Sequence, residues 1–311
     1  MPADALPVYL VHHDAPDWVR SSVASILRSD TPVAVTVVDN GPPQDLGLPA
    51  EVRVLATGRN TGYAGAANAA ITDWLSGDAA YAVVGAHDLH VEPDTLRALV
   101  DAAESEPRAG VVAPTLSTNA VGQAVGTQGA LDLRAWVSGT CLLLRRSCIE
   151  AVGGFDELFG SYGEDDELCW RVRRAGWLVA RVPGATGHGL GSGAGRRRRR
   201  LQYRNFVLLA YRTRGLRGAL RIQAGHVHMT AIALGRRDWP EVRDRVDGMA
   251  VGTVKVARAV RGRRRRRALG TAIPTAAIGR HPYPRVPPSS RLPRLRRQRR
   301  WTSRGRATGA E

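Results

Sequence analysis

The chain of 311 residues is 43% hydrophobic and 23% charged, a globular composition that is long enough for one large domain with an appendage or for two domains. It contains no run of 18 apolar residues, and its three cysteines have neither an even count nor metal-ligand spacing, so the sequence predicts a reduced, cytoplasmic protein without a membrane-spanning helix. The formal net charge of +17 is uneven, because residues 1–195 carry 13 Arg against 23 Asp and Glu, whereas residues 196–311 carry 32 basic and five acidic residues.

Short β-branched runs alternate with helical patterns through the first 114 residues. This alternation predicts an α/β fold with a mostly parallel sheet and flanking helices. The segment 115–132 is polar and Gly-rich, which indicates a loop with a hairpin, and six glycines within residues 183–195 predict a mobile loop. The predicted strands are 8–11, 33–38, 52–55, 81–85, 111–113, 136–144 and 177–182, and the predicted helices are 18–26, one ending at 75, one beginning at 93, and 164–175.

The sequence changes character beyond the second Gly-rich segment. From residue 281 onward Pro and Arg dominate, and such a segment cannot bury a core, so we expect disorder there. The predicted organisation is an α/β domain at residues 1–212, amphipathic helices at 213–262 and a disordered, Arg- and Pro-rich basic tail at 263–311. The helical prediction rests on an apolar stripe with alternating three- and four-residue spacing, formed by Val242, Val246, Met249, Thr253, Val256 and Val260.

Polar residues follow three predicted strands, at the edge where an open α/β sheet binds ligands. Asp39 and Asn40 end the second strand, Asn60 begins a Gly- and Ala-rich helix start that reaches Asn68, and Asp88 follows the fourth strand. A strand-end carboxylate accepts hydrogen bonds from a base or ribose, and a helix start of small residues lets backbone N–H groups approach phosphates. Taken singly, a turn, an N-cap and a solvated carboxylate explain these residues as well. Their convergence is what favours a ligand site.

A second acidic site lies at the start of a predicted helix, in Glu164-Asp165-Asp166-Glu167. The helix dipole favours acidic residues there, so capping explains part of the cluster. Four consecutive carboxylates exceed what capping needs, and one of them is a candidate general base. A diphosphate leaving group would in turn need a divalent cation, for which the carboxylate of Asp88 is the candidate ligand.

Over residues 6–212 the chain resembles the family-two glycosyltransferases, particularly their bacterial rhamnosyltransferase-like branch. The resemblance lies in six motifs that occur in order, since any one of them alone is common. The motifs are Val38-Asp39-Asn40, Asn60-Thr-Gly-Tyr-Ala-Gly-Ala-Ala-Asn68, Asp88 followed by Val91-Glu-Pro-Asp94, Ser138-Gly-Thr140, Gly153-Gly-Phe-Asp-Glu157, and Tyr162-Gly-Glu-Asp-Asp-Glu-Leu-Cys-Trp-Arg171 with Arg174-Ala-Gly-Trp177.

This resemblance implies a GT-A (Rossmann-like) fold and inverting transfer of a sugar from a nucleotide-diphosphate donor. The acceptor would be a hydroxyl of a cell-wall or polysaccharide precursor, which in this family is often polyprenyl-linked, and rhamnose is the sugar towards which the branch leans. The implied roles are Asp39 and Asn40 on the donor base or ribose, Asn60, Gly62 and Asn68 in the donor-binding loop, Asp88 and His188 on Mn²⁺ or Mg²⁺, and Asp165 beside Glu164 as catalytic base.

Two departures from the family pattern leave alternatives open. Ala86 stands where the metal motif has its first Asp, so metal dependence rests on Asp88, His188 and the donor phosphates, and a non-catalytic GT-A scaffold is an alternative. His12-His13-Asp14 replaces a Thr-Tyr-Asn-like stretch, which leaves the donor base open. The charge of the C-terminal part suggests a nucleic-acid-binding protein, but no helix-turn-helix, zinc-ligand spacing or aromatic single-strand surface supports it, so we expect no nucleic-acid partner.

Arginine runs dominate the basic part. The run 196–200 directly follows the Gly-rich loop, and it either closes over a diphosphate, through Arg196 and Arg197, or is a solvated charge run. Arginines at 263–267 and nine more after residue 281 lie beside the predicted amphipathic helix, a pattern typical of attraction to anionic lipid. We therefore expect peripheral attachment to an anionic membrane surface, at the inner face of the cell membrane.

Overall fold

A computed structural model describes residues 5–117, 124–189 and 195–268 of the chain. Within these residues ten strands form one sheet. The strands are β1 (Leu6–His12), β2 (Val33–Asp39), β3 (Arg53–Ala56), β4 (Tyr81–Ala86), β5 (Leu89–Val91), β6 (Ala109–Leu116), β7 (Ala124–Gln128), β8 (Leu131–Arg134), β9 (Cys141–Arg145) and β10 (Leu178–Gly189).

Helices cover both faces of this sheet and continue beyond it. Those predicted from the sequence are all present, and a short helix after β9 joins them. The helices are α1 (Pro16–Ile26), α2 (Gly62–Leu75), α3 (Thr95–Ser105), α4 (Arg146–Val152), α5 (Glu164–Arg174), α6 (Arg196–Gly235) and α7 (Trp239–Ala268).

The sheet is largely parallel, as the sequence predicts. Its order is β3-β2-β1-β4-β9-β6-β10-β8-β7, with β5 paired to β10. The strands β3, β2, β1 and β4 are parallel neighbours, β6 and β10 are parallel, and β9 lies antiparallel between β4 and β6. Because His12 pairs with Asp39 and Val11 with Ala86 in this register, the carboxyl ends of β2, β1 and β4 meet at one edge.

The core consists of two apolar layers, one on each face of the sheet. Alternate residues of β1 show how they arise: Val8 and Leu10 pack with α1 and α3, whereas Tyr9 and Val11 pack with α2 and α5. Successive side chains of a strand point to opposite faces, so a strand that is apolar throughout is covered on both sides. This two-sided burial fixes the strand ends that carry the polar residues.

Two predicted segments differ from the structure. The strand predicted at 136–144 begins only at Cys141, after a turn at residues 139–140. The mobile loop predicted at 183–195 is wrong as far as Gly189, because β10 continues past an irregularity after Val182 and pairs with β6 and then with β5. Backbone pairing on both sides outweighs the local effect of the glycines, while residues 190–194 lie outside the described residues.

Helices α6 and α7 pack along each other after the sheet. Two glycines of α7 allow the close approach, since a Cβ on Gly248 would lie 2.7 Å from Cβ of Tyr203, and one on Gly252 would lie 2.8 Å from Cβ of Val207. The predicted amphipathic helix is confirmed, but its apolar stripe coincides with its buried face only in part: Val256 is buried, whereas Val246 is 48% exposed. Glycine adds nothing to an apolar pattern, so the periodicity did not reveal that Gly248 and Gly252 belong to the buried face.

The predicted domain boundaries stay predictions. Helix α6 runs through residue 212, with a kink at Gly215, whose φ of 71° interrupts the helix. The predicted tail overlaps the end of α7, and everything after residue 268 lies outside the described residues. In the part of the chain that the structure describes, no helix combines the length and the apolarity that crossing a bilayer requires.

Candidate active site

A buried hydrogen bond joins the ends of β1 and β2. Nδ1 of His12 lies 2.9 Å from Oδ1 of Asp39, and the two side chains are 0% and 1% exposed. Nε2 of His12 accepts the N–H of Ala15 at 3.0 Å, so the ring proton is on Nδ1 and is donated to Asp39. The second oxygen, Oδ2 of Asp39, is buried without a partner among the described residues. Such an oxygen is a ready acceptor for a ligand N–H or hydroxyl, and His12, which the sequence reading left without a role, orients it.

Asn40 and Asn60 shape the start of α2. Oδ1 of Asn40 accepts the N–H and the hydroxyl of Thr61 at 2.8 and 2.9 Å, and its amide donates to the carbonyl of Gly62 at 3.1 Å. Oδ1 of Asn60 accepts the N–H of Gly62 at 2.8 Å, and its amide donates to Nε2 of His13 at 2.8 Å. The predicted donor-binding residues at 39, 40, 60 and 62 are therefore brought together, and the two asparagines hold the loop in place.

The first turn of α2 is tied to the loop before α5. Gly62 has a φ of +75°, and a Cβ there would lie 2.7 Å from the backbone of Gly160. The N–H of Ala64 donates to the carbonyl of Gly160 at 2.8 Å, and the N–H of Tyr63 donates to Oγ of Ser161 at 3.0 Å. These backbone donors are satisfied within the protein, so they do not offer the phosphate approach that the sequence predicts for this helix start.

Asn68 lies one and a half turns further along α2, away from this loop. Its amide donates to the carbonyl of Phe155 and to Oε1 of Glu157, both at 3.0 Å, and its Oδ1 accepts the N–H of Phe155 at 2.7 Å. Both ends of the side chain thus bind the 153–157 motif. The structure does not bring Asn68 together with the other predicted donor-binding residues.

Asp88 lies in the turn between β4 and β5 and is 7% exposed. Its neighbour His87 accepts the N–H of His13 at Nδ1, which leaves the proton on Nε2, a buried atom without a partner among the described residues. Burial lowers the pKa of His87, so this ring is a neutral donor at the site. His188 is brought to the same region, because β10 pairs it with His90 of β5, and its Nε2 lies 3.5 Å from Oε1 of Glu92.

The residues present fit a cation that takes most of its ligands from a substrate. Among the described residues no group of three or more His, Cys, Asp or Glu is arranged to hold a metal ion. The carboxylate of Asp88 is buried at this site. Mg²⁺ or Mn²⁺ is commonly held by one such protein carboxylate when phosphate oxygens and water supply its remaining ligands.

Asp165 is the best oriented carboxylate of the acidic cluster. Its Oδ2 accepts the N–H of Gly139 at 3.0 Å, and its Oδ1 accepts the N–H of Asp166 at 3.0 Å. Burial raises the pKa of Asp165, while these N–H groups oppose the rise by stabilising the anion. Gly139 belongs to the Ser138-Gly-Thr140 motif, and its carbonyl accepts the hydroxyl of Tyr63 at 2.5 Å. The structure thereby joins three of the motifs around one carboxylate.

The two neighbouring carboxyl groups favour the protonated form. Burial, and next the charge of Asp165, raise the pKa of Glu164 well above its usual value, and Oε2 of Glu164 is buried without a partner among the described residues. The same two causes raise the pKa of Asp166 to about 7. Of these three adjacent carboxyl groups, Asp165 is the one whose anion two backbone N–H groups stabilise through its side-chain oxygens.

Comparison with known proteins now identifies the family. Residues 7–129 match the family described as Glycosyl transferase family 2. The chain is 32% identical over 229 residues to the N-acetylglucosaminyl-diphospho-decaprenol L-rhamnosyltransferase of Mycobacterium tuberculosis strains CDC 1551 / Oshkosh and H37Rv, a match that covers 58% of this chain and 75% of the relative. The chain belongs to glycosyltransferase family 2. It is a glycosyltransferase of the rhamnosyltransferase-like branch, which favours the enzyme over the scaffold and nucleic-acid-binding alternatives.

Solved structures agree on the fold of this family-2 glycosyltransferase. A mannosyltransferase from Pyrobaculum calidifontis in complex with GDP-Man and Mn²⁺ superposes with a TM-score of 0.55 at 15% identity, covering 80% of this chain and 86% of that one. TarS from S. aureus gives a TM-score of 0.51 at 13% identity, covering 70% of this chain and 68% of that one. At such identities the likeness shows the GT-A fold.

Lys255, the sole lysine of the chain, links α7 of the glycosyltransferase to its active site. Its Nζ donates to the carbonyl of Phe159 at 2.9 Å and to Oδ1 of Asn205 at 2.6 Å, and the amide of Asn205 donates to the carbonyls of Ser161 and Tyr162 at 2.7 Å. Burial lowers the pKa of Lys255 to about 8. The sequence motifs did not predict the contact between Lys255 and Asn205, although a single lysine in an arginine-rich chain was a usable signal.

The arginine run at the start of α6 has two orientations. Arg196, Arg199 and Arg200 pair with acidic residues of α7, at 3.0 Å to Asp244, 3.3 Å to Glu241 and 3.0 Å to Asp247 respectively. Arg196 is therefore paired within the protein, although its side chain is 51% exposed, and its role on phosphate stays a prediction. In contrast, the guanidinium of Arg198 lies 5.5 Å from the ring centroid of Tyr162, beside the acidic cluster. Arg197 is exposed, with no ion pair among the described residues, and its charge also acts on Tyr162.

Proposed function

We propose that this glycosyltransferase inverts the anomeric centre as it transfers a sugar, in first place rhamnose, to a hydroxyl of a polyprenyl-diphosphate-linked cell-wall precursor. The observation that carries the mechanism is the carboxylate of Asp165, anchored by the N–H groups of Gly139 and Asp166. Burial, and after it the charges of Glu164, Asp165 and Asp88, raise the pKa of Tyr63, so these carboxylates act on the same ring. The sugar and the acceptor class are supported by the rhamnosyltransferase of M. tuberculosis, whose name specifies a diphospho-decaprenol acceptor.

In this proposal Asp165 is the general base. It accepts the proton of the acceptor hydroxyl as that oxygen attacks the anomeric carbon, and one carboxylate suffices for such a single displacement. The N–H groups of Gly139 and Asp166 fix its direction. Burial raises the pKa of Glu164, which favours a neutral carboxyl group beside the base. Asp39 accepts a hydrogen bond from the donor base or ribose through its unpartnered Oδ2.

Asp88 would hold a Mn²⁺ or Mg²⁺ ion, with His188 as a further candidate ligand. Such an ion, when bound, neutralises charge on the departing nucleotide diphosphate. In the structure His188 lies against Glu92, so its share in the site requires that this contact be given up. Arg197 and Arg198 are the arginines that we assign to the phosphates, since Arg196 is held by Asp244.

The remaining proposals concern placement. Residues 1–212 would form the catalytic domain, and the basic residues from 263 onward would attract anionic lipid at the inner face of the cell membrane, where a polyprenyl-linked acceptor is available. The charge of 32 basic against five acidic residues after position 195 supports this location.

A nucleotide screen tests the proposed donor site. The melting temperature of the full chain is measured with UDP, dTDP and GDP, each with and without Mn²⁺ or Mg²⁺, because a ligand that binds the native state alone raises it. We expect one nucleotide to stabilise the protein and the cation to add to the effect. Asp88→Ala should lose the cation-dependent part, whereas Asp94→Ala, at an exposed position nearby, should retain it. Absence of a shift with all three nucleotides would contradict the proposed function.

A further inference from the structure

The second segment of α6, after the kink at Gly215, presents an apolar face that no other element of the described chain covers. Its inner side, with Ala219, His226 and Ala233, is buried against the protein. Its outer side repeats every three to four residues, as one face of a helix does. The apolar residues of this outer face are Leu216, Leu220, Ala224, Val227, Ala231 and Leu234, all of them exposed.

The exposure of this outer face is large for a surface that meets only water. Leu216, Leu220 and Val227 are 60%, 67% and 59% exposed, and Trp239, the first residue of α7, is 63% exposed. Single exposed apolar residues are ordinary, but a contiguous stripe marks an interaction surface. A tryptophan at the end of the stripe is typical of helices that lie in a membrane interface.

Positive charge accompanies the outer face. Arg217, Arg221 and His228 follow one border of the stripe, and Arg236 and Arg237 follow its end. No Asp or Glu occurs between residues 196 and 237. Asp238 follows the two arginines directly, and the acidic residues of α7 are engaged by arginines of the first segment of α6 and by Arg245. Asp238 offsets one charge, so the described residues along the stripe and at its end carry an excess of arginine.

We propose that the outer face of α6 docks on an anionic lipid bilayer, with the apolar stripe at the level of the acyl chains and the arginines among the headgroups. Charge complementarity selects this occupant, since two copies of the face would bring like charges together. The proposal rests on the proposed function only in that a lipid-linked acceptor lies in the same membrane. The docking face and the active site share their helices, because α6 also carries Arg198 onto Tyr162 and α7 carries Lys255 onto the 159–162 turn.

Vesicle sedimentation of the full chain tests the proposal. Vesicles of phosphatidylcholine with about 30% phosphatidylglycerol are compared with pure phosphatidylcholine, at low salt and at about 1 M NaCl, where the Debye length falls to about 3 Å and charge attraction is screened. The double variant Leu220→Glu, Val227→Glu should lower the partition coefficient at least tenfold. The matched control is Val54→Glu, at an edge-strand residue that is 46% exposed on β3, and it should bind as the wild type does.

Binding of the double variant within twofold of the wild type would overturn the docking proposal, as would a change of oligomeric state without a change in vesicle binding. Brominated lipid gives a second measurement. It should quench part of the tryptophan fluorescence of the wild type, and this quenching should be absent in Trp239→Phe. Failures are separable, because the nucleotide-dependent rise in melting temperature is recorded without vesicles. A double variant with the wild-type melting temperature and the nucleotide-dependent rise is folded, so its vesicle binding tests the docking proposal. If the wild type itself shows no nucleotide-dependent rise, the result counts against the donor site and not against docking.

Discussion

The sheet and the two C-terminal helices of this glycosyltransferase are held together by different interactions. The sheet buries apolar layers on both faces, and at its ligand edge Asp39 ends β2 and Asp88 follows β4. The α6–α7 pair has small apolar clusters and relies on glycine contacts and on ion pairs between an arginine run and Glu241, Asp244 and Asp247. The difference teaches that a run of charged residues can mark a packing interface. The arginines of α6 do so once α7, which carries the matching acids, is known as their partner.

The acidic site of the sheet domain should respond most strongly to substitution. Asp165→Asn removes the proposed base but keeps a side chain that still accepts from the N–H of Gly139. We expect sugar transfer to fall about 1000-fold, within the range for loss of a general base, while nucleotide binding persists. The measurements are the single-turnover rate and the nucleotide-induced shift in melting temperature. Asp101→Asn, at an exposed position on α3, serves as control, and full transfer in Asp165→Asn would remove the assignment.

Two glycines of the helical pair should change the free energy of unfolding in opposite directions when they are replaced by alanine. Gly252→Ala places a Cβ 2.8 Å from Cβ of Val207 and 3.0 Å from the carbonyl oxygen of Arg204. Overpacking should outweigh the gain in helix propensity and lower the free energy of unfolding by about 1–2 kcal/mol. Gly225→Ala in α6, where a Cβ meets nothing within 4 Å, should instead raise it by up to about 1 kcal/mol. Urea unfolding compares them, and a stabilising Gly252→Ala would show that the two helices do not approach closely.

The raised pKa of Asp166 predicts a pH-dependent stability of the sheet domain. The folded state binds the proton up to about pH 7, whereas the unfolded carboxyl releases it near pH 4, so the stabilisation is complete below pH 4 and is lost as the pH rises through 7. Asp166→Asn should match the wild type near pH 4 and be more stable by about 4 kcal/mol at pH 8, since each pKa unit corresponds to about 1.4 kcal/mol. Thermal unfolding at four pH values between these limits checks this. A difference between the two proteins that does not vary with pH would contradict the shift.

The arginine run offers the smallest effects and the most direct contrast between ligand binding and packing. Arg198→Gln should weaken nucleotide-diphosphate binding about threefold to tenfold and leave the unfolding free energy unchanged, because its guanidinium faces Tyr162. Arg196→Gln should leave binding unchanged and lower the unfolding free energy by about 1 kcal/mol, since Asp244 is buried and retains only the longer contact to Arg199. Calorimetric titration and urea unfolding separate the two, and equal effects of both variants would refute the division.

Much of the fold was predictable because the apolar pattern decides it. Strands such as β1 and β2 are continuous apolar runs, and the alternation with helices predicted the parallel sheet and the edge where Asp39 and Asp88 lie. The end of β10 was not predictable in this way, because its glycine-rich sequence is held as strand by pairing with β5 and β6. The motif 60–68 also did not predict what Asn68 and Gly62 contact, since each packs on a backbone segment that lies about 90 residues away in the sequence.

The sequence by itself determined the family, the fold class and the acidic motifs. Those features depend on local residue order and on apolar residues that repeat every two or every 3.6 positions. Tertiary structure decided which carboxylate is anchored by backbone N–H groups, which arginines pair with α7 and which face of α7 is buried. Each of these depends on partners far apart in the chain: backbone N–H groups for Asp165, the acids of α7 for Arg196, and Tyr203 and Val207 for the glycines. Burial and charge pairing act through space, and a one-dimensional pattern does not record them.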